Sequence, residues 1–212
     1  MFIMRAMFRT ALRLAWVVAL SSLAGRLLPA QDYFPPGSLD KTPQGHELKA
    51  AWFSKQLKAM REPSLWELSK KDPKAEVYRF LWLRAADHPV AIRVVVRAGG
   101  SAWLNSRMTT GKGASDPGHI TRYSVSWLRK KLTQEFLDET VKVGFQSMPT
   151  LSAQNDATAG MGGSEWIVEG IKDGQYHVVV RHSPDVADPV REIGLLALKL
   201  GRFNKSRTGP IC

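Results

Sequence analysis

The chain has 212 residues, a formal charge of +11 and a single cysteine, and 44% of its residues are hydrophobic. This length corresponds to about one domain, since domains usually hold roughly 100 to 200 residues. The composition excludes three classes of protein. A disordered chain has fewer apolar residues, a multi-pass membrane protein has more, and a disulfide-stapled miniprotein needs paired cysteines.

The first 30 residues have the order of a secretory signal peptide. Arginines near the start precede an apolar run from Leu14 to Gly25, and the short segment RLLPA follows it. The run is too short to span a bilayer, for which about 20 apolar residues are needed. We expect cleavage after Ala30, with Ala24 as the alternative site. An N-terminal anchor that stays uncleaved is the competing interpretation.

Removal of this segment leaves a basic domain without disulfides. Residues 31–212 hold 26 basic and 19 acidic residues, a net charge of +7. The only cysteine is Cys212, so no intrachain disulfide can form, and no cysteine follows the apolar run to carry a lipid. We therefore expect an exported bacterial protein, periplasmic or extracellular and not a lipoprotein, which contacts the membrane only through an uncleaved N-terminus.

The first part of this domain predicts a lead-in and two helices. Residues 31–45 are rich in Pro and Gly and predict an extended lead-in. Apolar residues at spacings of three and four predict an amphipathic helix over 46–60. The capping box that begins at Ser64 predicts a short helix ending at Lys71.

Strands follow, and then a helix. Four segments rich in aromatic and β-branched residues predict strands, at 76–84, 89–98, 101–110 and 120–132. Short turns join the first three, which predicts an antiparallel meander. A helix is expected over 133–145 with Thr133 as its cap, and a loop of small residues over 152–163.

The last part predicts a hairpin and a final helix. Strands at 165–171 and 175–182 flank an Asp-Gly pair, which is typical of a two-residue turn. Asp188-Pro189 begins a helix that runs to Leu200. The sequence thus predicts a single α+β domain over 46–212, with a mostly antiparallel sheet of about six strands covered by three helices.

The Asp-Gly turn also predicts the register of the hairpin. It places Glu169 opposite Val178 on one face, and this face is mostly apolar, so we expect it to be buried. A buried carboxylate has a raised pKa unless it is paired, and a raised pKa suits a general acid or base. The alternatives without a catalytic role are that Glu169 pairs with an arginine or that it lies at a strand edge in contact with water.

The opposite face of the hairpin carries a second candidate site. There Trp166 lies opposite Arg181, and His177 lies opposite Gly170, whose missing side chain leaves room. On an open sheet face these three side chains could hold an anion or a sugar. The alternative is a solvated face on which Trp166 and Arg181 stack.

No motif for a metal, a cofactor or a nucleophile is recognisable. The five histidines are scattered, and His177 and His182 point to opposite faces of one strand. Ser101 and Ser164 follow glycines without the G-x-S-x-G elbow. The GKGAS segment at 111–115 lacks the spacing of a phosphate loop, so we expect a flexible turn and neither metal nor cofactor.

The basic residues form two clusters. One is Arg129-Lys130-Lys131, and the other follows Glu192 and comprises Lys199, Arg202, Lys205 and Arg207. Such clusters bind phosphate backbones, but an exported protein meets little nucleic acid, so anionic envelope polymers or lipid headgroups are the better candidates. Ordinary solvated surface is the bland alternative.

Three stretches resemble an uncharacterised family of bacterial exported proteins. They are YRFLWLRAADHPVAIRV at 78–94, SMPT at 147–150 and GGSEWIVEGIKDGQYHVVVRHSP at 162–184. The last is similar to a pattern of D-G-x-x-W-x-x-E-G followed by Y-H-x-V-x-R-W-S-P, although Gly162 and His182 stand where Asp and Trp would be expected. The resemblance implies export and an α+β domain but supplies no catalytic residue.

We therefore expect a non-enzymatic domain that binds a ligand or a partner in the cell envelope. The candidate ligand-facing residues are Trp166, Glu169, His177 and Arg181. The alternative is a hydrolase-type enzyme with Glu169 or His177 as its general base. A third interpretation is attachment to anionic polymers through the two basic clusters. The sequence predicts neither the ligand nor the oligomeric state.

Overall fold

The computed structural model describes residues 32–152 and 162–203. Six strands form one antiparallel sheet in the spatial order β4-β3-β2-β1-β5-β6. This confirms the α+β class and the expected number of strands. The strands are β1 Val77–Arg84, β2 Val90–Val96, β3 Ala102–Thr109, β4 Ile120–Leu128, β5 Ser164–Lys172 and β6 Gln175–His182.

Four helices lie in the described residues, one more than the three expected. The helices are α1 Pro43–Ala59, α2 Leu65–Lys71, α3 Lys130–Lys142 and α4 Val190–Leu200, and a short 3₁₀ helix spans Phe145–Ser147. The additional cover is α2, which packs Leu65 against Val77 and Ile171 of the sheet. Its predicted cap is present, because the Ser64 hydroxyl accepts a hydrogen bond from the Glu67 amide at 3.0 Å.

The expected meander and hairpin are both confirmed. Strands β1, β2 and β3 pair in sequence, and β4 extends the meander. In the hairpin, Glu169 lies opposite Val178 and Trp166 opposite Arg181, as the Asp-Gly turn predicts. Both turn residues have the positive φ that such a turn requires. The hairpin joins the sheet through β5, which pairs with β1.

Helices cover the sheet on both faces. On one face α3, α4 and Phe145 pack over a cluster that includes Phe80, Trp82, Trp166 and Val168. On the other face α1, α2 and the lead-in pack over Leu81, Leu83, Ile167 and Val178. The expectation of an open face around Trp166 is therefore wrong. Gly194 brings α4 close to Trp166, because a Cβ at that position would overlap the indole ring.

The lead-in is part of the core, although it has no helix or strand before Pro43. Tyr33, Phe34 and Leu39 are buried against α1. The Tyr33 hydroxyl donates to the Glu62 carbonyl at 2.8 Å, which ties the segment to the chain between α1 and α2.

The junction of β4 and α3 differs from the prediction. The strand ends at Leu128 and the helix begins at Lys130, with Arg129 at its cap, so Thr133 is not the cap. Thr133 is buried in the first turn, and its hydroxyl donates to the carbonyls of Leu128 and Arg129. The Thr133 hydroxyl thus bonds to carbonyls that precede it and does not cap the amides that follow it, so the helix begins before Thr133.

Within residues 32–152 and 162–203, no helix combines the length and the apolar character needed to cross a membrane. Three sequence-based expectations fall outside the described residues. They concern the signal segment at 1–30, most of the small-residue loop, and the C-terminal residues Lys205, Arg207 and Cys212.

Candidate functional site

The hairpin separates the predicted site residues onto the two faces of the sheet. Glu169 lies under α1 and α2, whereas Trp166, His177 and Arg181 lie on the face that α3 and α4 cover. The structure therefore does not bring these four residues to one site.

Glu169 is fully buried and fully paired. Arg79 of β1 donates to Glu169 Oε2 from Nε at 2.7 Å and from Nη2 at 2.5 Å, and the Tyr176 hydroxyl donates to Oε1 at 2.9 Å. Burial raises the pKa of Tyr176 well above its ordinary value, so this hydroxyl stays a donor. The partner arginine that the sequence left open as an alternative is thus Arg79, and no substrate reaches the carboxylate.

The pair extends into a buried ionic network across the sheet. Glu62, from the connection between α1 and α2, accepts from Arg93 Nε at 2.7 Å and forms ion pairs with Arg79 and Arg107. Burial lowers the pKa of Arg93 to about 10, still far above neutrality. Removal of one member of such a buried, paired network is strongly destabilising, so we interpret these residues as structural.

Trp166 and Arg181 do not stack on each other. Trp166 is buried among Phe80 and Trp82, and the guanidinium that lies over its ring belongs to Arg191, at 5.7 Å from the centroid. Arg181 donates instead to the carbonyls of Pro149 and Thr150 and forms an ion pair with Asp188 at 3.2 Å. Its main role is to hold the loops on either side of the hairpin.

His177 is half-buried beside the 3₁₀ helix. Its ring packs edge-on against Phe145, with 5.1 Å between the ring centroids. The room opposite it is occupied, because the Phe145 ring lies where a side chain at Gly170 would lie. Burial lowers the pKa of His177.

A pocket lies at the other end of the hairpin, where β1 and β5 meet α1. Its volume is about 340 Å³. Its lining residues are Lys49, Trp52, Leu83, Ala85, Ala114, Gly162, Gly163, Ser164, Glu165 and His182. We call it the Glu165–His182 pocket, after the two side chains that pair there.

Glu165 and His182 form a hydrogen-bonded pair across the two strands of the hairpin. Glu165 Oε1 and His182 Nδ1 are 2.8 Å apart, and both side chains are largely buried. Burial raises the pKa of Glu165, while the hydrogen bond from His182 partly opposes that shift. With Nδ1 bound to the carboxylate, Nε2 is the ring nitrogen that can contact a ligand.

The GKGAS segment forms one wall of this pocket. The Gly113 carbonyl accepts from Trp52 Nε1 at 2.6 Å and from Gln56 Nε2 at 3.0 Å, and the Gly113 amide donates to the Arg84 carbonyl at 2.8 Å. A side chain at Gly113 would overlap the Arg84 backbone. The segment expected to be a flexible turn is thus bound to α1 and β1.

The sequence predicts the Glu165–His182 pair but not the other walls of this pocket. The hairpin register that pairs Glu169 with Val178 also pairs Glu165 with His182. The other walls come from α1, the end of β1 and the Gly113 segment, which are distant in sequence. No local pattern predicts that these segments enclose a cavity.

No protein-family model matches the chain, and no curated protein is significantly similar to it.

The pocket combines a titratable Glu–His pair with apolar walls. Among the described residues, no group of three or more His, Cys, Asp or Glu side chains could hold a metal ion. The polar groups available to a ligand are Glu165, His182 and Lys49, and the last is already paired with Asp40 at 2.7 Å. The indole of Trp52 and the side chain of Leu83 supply apolar surface.

Proposed function

We propose that the protein is an exported bacterial envelope protein that binds a small ligand in the Glu165–His182 pocket. The observation that carries the proposal is the pocket itself, in which a largely buried Glu–His pair adjoins apolar walls. Ligand sites are typically clefts of about 300 to 1,000 Å³ with few, fixed polar groups. The pocket, at about 340 Å³, lies at the small end of that range.

The chemistry of the pocket selects a class of ligand. Trp52 and Leu83 favour an apolar or aromatic body, and His182 Nε2 favours a group that exchanges a hydrogen bond with imidazole. The Glu165 carboxylate, bound to His182 Nδ1, disfavours a second anion close to it. We therefore propose a small molecule with an apolar body and one polar head.

Three simple probes with different head groups test this binding: benzoate, phenol and benzamidine. Each is titrated into the labelled protein while the imidazole signals of His182 are followed by NMR. At least one probe should shift them together with the indole signal of Trp52, and in His182→Ala the same probe should no longer shift the Trp52 signal. His119→Ala, which changes an exposed histidine outside the pocket lining, is the matched control and should bind normally. The absence of any shift, or equal binding by His182→Ala, would contradict the proposal.

Export is a separate part of the proposal. The arginine-bearing apolar segment before residue 31, which has the order of a secretory signal peptide, supports it. Cell fractionation of the bacterial host, followed by N-terminal sequencing, tests it. We expect the protein outside the cytoplasm with Gln31 as its first residue. Recovery of an intact chain in the cytoplasm would contradict this part alone.

Catalysis is the second candidate function, and one observation favours it. A carboxylate bound to Nδ1 of a histidine is the usual arrangement of a general base and the group that orients it. The catalytic alternative thereby moves to His182, because Glu169 is inaccessible and His177 packs against Phe145. Among the described residues no hydroxyl or thiol hydrogen-bonds to His182 Nε2, so water would be the nucleophile.

Hydrolysis of p-nitrophenyl acetate distinguishes the two functions. A general base at His182 predicts a rate that falls at least tenfold in His182→Gln and much less in His177→Gln. Equal rates in the wild-type protein and His182→Gln would leave binding as the function of the pocket.

A further inference from the structure

The strand β4 is an edge of the sheet, and no described residue pairs with its outer side. Only β3 pairs with it in the part of the chain that the structure describes. An exposed edge presents unpaired amide and carbonyl groups to any strand of suitable length. At nine residues, β4 is long enough to form a stable pairing.

The opposite edge of the sheet is protected, which makes the open edge informative. Strand β6 is bound by the preceding loop, since the Val180 amide donates to the Thr150 carbonyl at 2.8 Å. The Arg181 side chain of β6 also holds this loop, because it donates to the carbonyls of Thr150 and Pro149. Proteins usually protect an edge with such a cover, with lysines or with proline. Strand β4, with the sequence ITRYSVSWL, contains no lysine and no proline, and no described residue covers its outer side; its one charged residue, Arg122, and its one register irregularity both lie in its first three residues.

The same strand exposes a row of large apolar side chains. Tyr123, Val125 and Trp127 are 59%, 45% and 53% exposed and alternate along one face. Trp103 of β3 extends the row, because its ring contacts Trp127 edge-to-face at 4.8 Å between centroids. An exposed apolar surface beside an open strand edge is typical of a protein interface.

We propose that β4 pairs with β4 of a second copy of this chain, antiparallel and centred on Ser124. In this register Ser124 lies opposite its own copy, and Tyr123 lies opposite Val125. Arg122, the only charged residue of the strand, lies opposite Ser126, so no like charges face each other. The two six-stranded sheets join into one, and the apolar rows of the two copies become continuous. The contact has the twofold symmetry that most soluble dimers share.

The charges around β4 favour a second copy over an anionic polymer. The Arg122 guanidinium is engaged by its own chain, because it donates to the carbonyls of Gly201 and Arg202 and lies over the Phe203 ring at 4.3 Å. Arg107, on the neighbouring strand, pairs with the buried Glu62. The exposed basic residues 129–131 begin only after the strand ends, so β4 itself offers backbone groups and apolar area, which a like strand matches.

Cysteine cross-linking tests the register. In a chain carrying Cys212→Ser, Ser124→Cys places two thiols across a strand pair, where Cβ atoms are about 5 Å apart and can form a disulfide. Ser126→Cys is the matched control, since Ser126 is also exposed and lies on the same face. Its two copies would lie about 13 Å apart, too far for a disulfide. We expect a cross-linked dimer only from Ser124→Cys. Equal cross-linking of both variants, or of neither, would overturn the proposal.

The mass of the full chain in solution tests the dimer itself. Light scattering should give twice the chain mass for the wild-type protein. Ser124→Lys and Ser124→Glu should each be monomeric, because each places like charges opposite one another, and an equimolar mixture of the two should restore the dimer. Circular dichroism confirms that both variants fold.

Two outcomes of these measurements would refute the pairing. One is a dimer that neither charge variant disrupts. The other is a monomeric wild-type protein whose β4 amide signals shift on addition of dextran sulfate, which would assign the surface to an anionic polymer.

Discussion

Two buried glutamates, Glu62 and Glu169, hold three arginines beneath α1 and α2. The sequence predicted that Glu169 is buried but left its partner open, because the pairing of β1 with β5 has no local signal. Once that pairing is known, Arg79 lies directly opposite Glu169. Glu169, which the sequence pattern favoured as a general acid or base, is thus an ion-pair partner within the core.

Removal of one member of this network should be strongly destabilising. Glu169→Leu leaves the single carboxylate of Glu62 for three buried arginines, and Arg79 keeps only its longer ion pair with Glu62, so we expect a loss of about 3 to 5 kcal/mol of unfolding free energy. The double variant with Arg79→Leu should recover part of that loss. Glu67→Gln, which breaks the exposed pair with Lys70, is the control and should change stability by less than about 1 kcal/mol. Urea unfolding measures all three, and a loss below about 1 kcal/mol for Glu169→Leu would contradict the structural role.

The stability of the protein should also depend on the protonation of His177. Its pKa is lower in the folded protein than in the unfolded chain, because burial disfavours the imidazolium. Below the ordinary histidine pKa the unfolded chain therefore binds more protons, and stability falls as the pH falls. We expect the loss of stability between pH 7.5 and pH 5 to be smaller in His177→Gln than in the wild-type protein. If urea unfolding showed the same loss of unfolding free energy between the two pH values in both proteins, the prediction would be wrong.

At the scale of elements, the sequence predicted the features that depend on neighbouring residues but not the contacts between segments that are distant in the chain. The Asp-Gly turn and short loops predicted the hairpin and the meander, and the capping box predicted α2. The insertion of β5 beside β1 and the closure of both faces by helices could not be predicted, since they depend on residues separated by much of the chain. The pocket could not be predicted for the same reason, because only its Glu–His pair belongs to one hairpin and its other walls come from distant segments.

The packing of α4 on the sheet gives a prediction that opposes helix propensity. An alanine usually stabilises a helix interior by about 1 kcal/mol relative to glycine. At Gly194, however, the added methyl group would overlap the Trp166 ring, so Gly194→Ala should destabilise the protein by about 1 to 3 kcal/mol. Lys199→Ala, at an exposed position of the same helix, should have little effect. A gain of stability in Gly194→Ala would show that α4 packs elsewhere.

For the whole molecule, the core begins close to the expected cleavage site. Tyr33, Phe34 and Leu39 are almost fully buried, and each such side chain contributes about 1.5 to 3 kcal/mol. A chain that begins at Asp40 should therefore lose much of a total stability that is typically about 5 to 15 kcal/mol. A chain that begins at Asp32 is the control and should unfold at the same urea concentration as the longer protein. Equal stability of the two chains would contradict the role of the lead-in.

The central strands and the open edge should differ sharply in how they take up deuterium. Nearly every residue of β1 and β5 is buried, whereas most of β4 is exposed in a single copy of the chain. Amide protons in β1 and β5 exchange mainly when the entire domain unfolds, while those at the β4 edge of a monomer exchange through small local openings. In the monomeric Ser124→Lys variant heavy water should thus label the sheet from the β4 side inwards, with β1 and β5 labelled last. In the dimer the outer amides of β4 are paired, and they should be labelled later than in the monomer.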